Sequence, residues 1–188
     1  MELVSEAIAF AVKAHDGMRR RNSEIPYILH PMEAAVIVST MTEDQNVIAA
    51  AALHDVVEDA GITIEEIEER FGKRVRELVG AETEDKRADL PPSATWRIRK
   101  EESLESLKNA EDIHVLMMWM GDKLSNMRAI YRDFQVEGHA MWHRFNQEDP
   151  AEQAWYYRSI ADLTGRLSHT SAWQEYKNLT EMVFGKGV

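Results

Sequence analysis

The chain has 188 residues, 44% of them hydrophobic and 29% charged, enough to bury a sizeable core, and we expect a single domain over residues 1–188. It contains no cysteine, which excludes a disulfide framework, a thiolate nucleophile and a cysteine zinc site, so any metal must be held by histidine and carboxylates. A net charge of −11 argues against a nucleic-acid partner; with Glu2 and Glu6 near the start and no apolar run of membrane-spanning length, a cytoplasmic protein with no membrane partner is expected.

In chain order, Val4, Ile8, Ala11 and Val12 form a helical stripe, and 32–41 is a second amphipathic or buried segment. Between them Arg19-Arg20-Arg21 is a basic cluster with two readings, a solvated loop or an anion-binding site. Asp44 is placed to cap a third helix that carries His54-Asp55. Thr63-Ile64-Glu65-Glu66 has capping-box spacing ahead of Ile67 and Phe71, and Gly72 acts as a stop, so the next helix is short. The polar stretch 85–93 holds Pro91-Pro92 and reads as a loop, after which a helix runs from Ser93 towards Lys108. The apolar run 115–120 reads as a buried strand or a helix. The stripe Ile113, Leu116, Met120, Leu124, Met127, Tyr131 and Phe134 keeps a period of about 3.6 residues and decides for a helix. Asp149-Pro150 opens a helix through Trp155 to Leu167, and Thr170 or Ser171 starts the last. The fold class is therefore all-α.

The chemistry concentrates in Leu53-His54-Asp55-Val56-Val57-Glu58-Asp59, at the end of the apolar segment 47–57. On a helix Glu58 lies one turn from His54 and Asp55, and Asp59 one turn from Asp55. Burying these groups is costly without a cation, and a divalent metal is the simplest one. Two further ligand candidates are His30, in Tyr27-Ile28-Leu29-His30-Pro31, and Asp122 on the apolar segment 117–124, with Asn126 one turn on. Each alone reads as structural, but their joint occurrence beside His54-Asp55 favours a metal site. His15 reads as a core residue or a partner to a ligand, and His114, His139, His143 and His169 as structural. The tryptophans read as core, with Tyr157 kept as a pocket aromatic. Arg99-Lys100 faces either a phosphate or solvent.

The order His30, His54-Asp55, Asp122 resembles the H…HD…D signature of the HD-domain metal-dependent phosphohydrolases. Tyr27-Ile28-Leu29-His30-Pro31, the His54-Asp55-Val56-Val57-Glu58-Asp59 run, Ile62-Thr63 followed by Phe71-Gly72, and Asp122-Lys123-Leu124-Ser125-Asn126-Met127-Arg128 narrow the likeness. They are similar to the hydrolase domain of RelA/SpoT-type (p)ppGpp hydrolases and to the stand-alone small alarmone hydrolases, the metazoan SpoT homologue among them. The likeness runs from Val4 to Phe184. It implies an HD-domain helical bundle in which His30, His54, Asp55 and Asp122 bind one divalent ion, manganese (Mn2+) in the family. Glu58 and Asp59 match the catalytic pair, which orients and deprotonates a water while the ion polarises the phosphoryl group. Arg20 and Arg21 match residues near the guanine base and the phosphates, Lys123 offsets phosphate charge, and Asn126 faces the sugar. Tyr157 lies on an aromatic helix that closes the nucleotide pocket.

The implied reaction is hydrolysis of the 3′-diphosphate of ppGpp or pppGpp, giving pyrophosphate and GDP or GTP, an activity of the stringent response with a small nucleotide as partner. Two alternatives stay open. One is another HD nucleotide phosphohydrolase, acting on adenosine alarmones, NADPH or 5′-nucleotides. The other is a module that binds alarmone without turnover, against which the Glu58-Asp59 pair argues. Met18, Ala60 and Ala129 depart from the family's common residues and leave the metal ligands intact. The sequence does not give an oligomeric state.

Overall fold

The computed structural model describes residues 2–20, 23–87 and 89–186. Ten α-helices occupy these residues: α1 (Leu3–Ala14), α2 (Leu29–Ser39), α3 (Gln45–Leu53), α4 (Val56–Asp59), α5 (Ile64–Phe71), α6 (Lys73–Glu82), α7 (Pro92–Lys108), α8 (Ile113–Glu137), α9 (Pro150–Leu163) and α10 (Ser171–Phe184). Among the described residues the only extended pairing is an isolated antiparallel bridge between Arg19 and Pro26. No described helix is long and apolar enough to cross a membrane.

Local chemistry explains most boundaries. Asp44 accepts the backbone N–H of Asn46 at 2.9 Å, Thr63 that of Glu66 at 3.1 Å, Asp149 that of Ala151 at 2.8 Å and Thr170 that of Trp173 at 3.2 Å. Each cap is worth about 1 kcal/mol because it satisfies a donor that the helix leaves open. Gly72 ends α5 with φ 87°, a left-handed value that a residue with a Cβ rarely adopts.

Several boundaries differ from the sequence reading. The third helix does not carry His54-Asp55 within it: α3 stops at Leu53, His54 caps it, and Asp55 precedes the one-turn α4. The His54 ring accounts for part of this break, since its Nδ1 hydrogen-bonds the Ala51 carbonyl at 2.8 Å. The stretch 73–82, to which periodicity gives no separate element, is α6. The helix opened by Pro150 ends at Leu163, and Gly165–Leu167 is a 3-10 turn. There the Thr164 hydroxyl donates to the Ile160 carbonyl at 2.6 Å, a local bond that competes with continuation. In α1 the buried positions are Ala7 and Ala11, whereas Val12 is 49% exposed.

Two apolar clusters meet along α8. One is rich in alanine, with Ala7 and Ala11 of α1, Ala35 of α2 and Ala49, Ala50, Ala51 and Ala52 of α3. The other is aromatic and joins α7, α9 and α10, with Trp96, Trp173 and Tyr176 against Leu116, Met120, Leu124 and Met127 of α8. Small side chains let α1, α2 and α3 approach closely. Gly121 marks a close approach of α8 to α2: a Cβ there would lie 2.6 Å from Val38 Cγ2 and 2.9 Å from the Ala34 carbonyl oxygen. That contact is one residue from Asp122, which it draws towards His30.

Candidate metal centre and its cavity

Three chain segments deliver the candidate ligands. His30 lies in the first turn of α2, His54 and Asp55 fill the break between α3 and α4, and Asp122 sits in the middle of α8. His30 Nε2 is 3.0 Å from Asp122 Oδ1 and 3.5 Å from Asp55 Oδ2. His54 Nε2 is 3.1 Å from Asp55 Oδ2 and 3.7 Å from Asp122 Oδ1. Donor atoms sharing one ion at about 2.1 Å stand on the order of 3 Å apart, the spacing found here. His30, His54 and Asp122 offer donors all within 4.8 Å of one another, and all three side chains are buried.

The rings are held so that Nε2 faces inward. His30 Nδ1 bonds Ser125 Oγ at 2.8 Å, and that hydroxyl donates to Glu33 at 2.8 Å. Arg128 then ties Glu33 to Glu175. With both Nδ1 atoms engaged, the Nε2 atoms carry the free lone pairs, the arrangement of metal-binding imidazoles. His54 Nε2 is buried and makes no hydrogen bond. Burial would lower the His54 pKa, yet Asp55 and Asp122 hold it well above its usual value. The same balance acts on Lys123: burial opposes its charge, but contact with Asp122 raises its pKa further. The carboxylates thus demand positive charge, and the donor set fits a divalent cation.

Glu58 and Asp59 lie beside this cluster and have different partners. Glu58 accepts the backbone N–H of Glu84 at 2.6 Å and stands 3.4 Å from Lys86 Nζ. Burial raises its pKa, against the pull of that hydrogen bond and of Lys86. Asp59 pairs directly with Lys86. The Tyr27 hydroxyl is shared between Asp55, at 2.8 Å, and Asp59, at 2.9 Å, and so joins the ligand to its acidic neighbour across the helix break.

The cluster opens onto a cavity of about 800 Å³ whose wall includes Arg20, Lys86, Arg99, Lys100, Lys123 and Asn126. Arg20 donates to Asn126 at 3.1 Å, and Asn126 in turn donates to Asp122 at 2.6 Å, so Asn126 links Arg20 to the candidate ligand cluster. Arg21 lies outside the described residues. Tyr157 lines the cavity, as does its neighbour Tyr156. Arg99 and Lys100 do not form a solvated face: Arg99 is buried, and both pair with Glu84 inside the cavity wall. Sequence reasoning did not single out Tyr27, Lys86, Glu82 or the Ser125–Glu33 link. A tyrosine three residues before His30 was the one local signal; the rest depend on contacts across tens of residues.

His15 is buried, hydrogen-bonds the Ala11 carbonyl at 3.0 Å through Nδ1 and stacks on Tyr27 with centroids 5.2 Å apart. It therefore supports the tyrosine and does not reach the ligand cluster.

Comparison with known proteins places these features in a family. The fold resembles the solved structure of a metazoan ortholog of SpoT that hydrolyzes ppGpp and plays a role in starvation responses, with a TM-score of 0.78 and 25% identity over 99% of this chain and 98% of that one. The GTP pyrophosphokinase rsh of Brucella ovis is 37% identical over 130 residues, which cover 68% of this chain and 17% of the relative. The guanosine-3′,5′-bis(diphosphate) 3′-pyrophosphohydrolase of Aquifex aeolicus is 35% identical over 130 residues, 69% of this chain and 18% of the relative. The chain therefore spans less than a fifth of the length of those two curated relatives. The HD domain model matches residues 7–148. With His30, His54-Asp55 and Asp122 and the intervening Glu58-Asp59 pair all inside that match, the chain belongs to the HD-domain family.

Proposed function

We propose that this protein hydrolyses the 3′-diphosphate of ppGpp or pppGpp, releasing pyrophosphate and GDP or GTP, with one manganese ion held by His30, His54, Asp55 and Asp122. The observation that carries this reading is the convergence of those four side chains at the edge of a basic cavity of about 800 Å³. That volume suits a nucleotide. The relatives described above supply the substrate, since a ppGpp-hydrolysing protein matches over nearly the full chain.

When bound, the ion polarises the phosphoryl group and activates water. The protein's own groups do the rest. Glu58, whose pKa burial has raised, accepts the proton of the attacking water, working closer to neutral pH than an exposed glutamate does. Asp59 is fixed by Tyr27 and Lys86 and orients that water. Arg20 and Lys123 offset phosphate charge, and Arg21 is assigned the same role from its place in the sequence. Asn126 meets the sugar, and Tyr157 closes over the nucleotide. Preorganised cations in the cavity stabilise the charge on the phosphoryl oxygens of the 3′-diphosphate while the bond from its inner phosphorus to the ribose 3′-oxygen breaks and that oxygen leaves as the 3′-hydroxyl of GDP or GTP.

The test is manganese-dependent turnover of ppGpp with product identification. Pyrophosphate and GDP in equal amounts are the expected products. Inert ppGpp together with phosphate release from 5′-mononucleotides would reassign the site to a general HD nucleotidase, and binding of ppGpp without turnover would make the protein a sensor.

A further inference from the structure

Glu82 is the last residue of α6 and stands in a position that should be hostile to a carboxylate. It lies at the negative end of a helix, where an acid is unfavourable. Neither of its side-chain oxygens reaches solvent or a hydrogen-bond partner. Burial, and then the neighbouring Asp122, push its pKa up to about 8. Buried polar groups almost always have partners, so a buried carboxyl group without one calls for an explanation.

Its charged neighbours are Asp122, His54, Lys123 and Asp55, three of the four candidate ligands and the lysine beside them. The charges around the cluster suggest why it is there. Asp55 and Asp122 alone would balance a divalent ion and leave buried Lys123 uncompensated, because the lysine's present partner is Asp122 itself. Adding Glu82 gives three negative charges against the ion and one lysine, with both imidazoles neutral.

We propose that Glu82 belongs to the cation site as a further carboxylate that acts from just outside the donor group of His30, His54 and Asp122 and helps to hold the divalent ion there, its two buried oxygens being without a partner in the protein. The proposal rests on reading that cluster as a cation site and not on the identity of the substrate. Its two unpartnered oxygens are acceptors for the ion or for water carried with it. Groups that act from just outside a ligand set commonly change metal affinity 10- to 100-fold.

The experiment measures the manganese Kd by competition with a chelator, together with the melting temperature of the metal-free protein. It uses wild type, Glu82→Gln, Lys123→Met and the double variant. Glu82→Gln keeps the shape and removes the charge. Its metal-free form should melt at or above the wild-type temperature while manganese affinity falls about 10- to 100-fold. A similar fall should follow from the same change in the Lys123→Met background. An affinity within about twofold of wild type overturns the proposal, and so does a loss seen only when Lys123 is present, which would make Glu82 the lysine's counter-ion alone. Failure of the hydrolase reading is distinguishable, since it leaves wild-type manganese binding in place and removes only ppGpp turnover.

Discussion

Glu58 and Asp59 differ from the candidate ligands in what holds them. The ligands face one another, whereas Glu58 is tied to the Glu84 backbone and Asp59 to Tyr27 and Lys86. A residue anchored to its surroundings and not to the ion should act in the transition state. Changing the pair to Gln and Asn should therefore leave manganese and ppGpp bound and lower kcat by roughly 10²-fold or more. The acid limb of the pH–rate profile should change with it, because the group with the raised pKa is gone. Metal content, ligand affinity and single-turnover rate on the double variant check this, and loss of metal with activity would assign the pair to the ligand set instead.

At the scale of elements, the connection from α6 to α7 is held by Glu84, which pairs with Arg99 and Lys100 and accepts from Ser103 at 3.1 Å. Burial works against the charged form of Glu84, but Lys100 and Arg99 prevail and hold its pKa below the ordinary 4.5. A carboxylate with a depressed folded-state pKa contributes stability above its unfolded pKa and loses it as the pH falls through the folded value. Glu84→Gln should therefore cost about 1–3 kcal/mol at neutral pH, since it leaves two cations short of a partner. The gap to wild type should close below about pH 4.5, which urea unfolding across that range would measure. Much of the helical layout was legible because its signals are local: the caps at Asp44, Thr63, Asp149 and Thr170 each act within three residues. The break at His54-Asp55 was not, because those residues remain close to helical angles and turn aside for contacts elsewhere in the fold. The order His30, His54-Asp55, Asp122 made the cluster readable through its resemblance to a family signature, since their spacing along the chain does not itself bring them together. Glu82 was not readable, since a partnerless carboxylate exists only once α6 has packed on α3 and α8. Gly121 likewise looks like one more small residue in an apolar run until α2 is laid against it.

For the whole molecule, a chain of net charge −11 presents a basic cavity wall to a polyanion. The negative exterior repels such a ligand, and the cavity attracts it within about a Debye length. KM for ppGpp should therefore rise with salt, and replacing Arg20 and Arg21 with Ala should raise KM at low salt and flatten that rise; initial rates across a salt series decide it. The same wall has a second effect. On the proposed reaction pyrophosphate carries much of the substrate's charge on a smaller body, so the lysines and arginines that would draw ppGpp in would also slow the departure of what is cut from it. Turnover at saturation should then be paced by escape of the product, and moderate salt that weakens capture should speed each completed cycle.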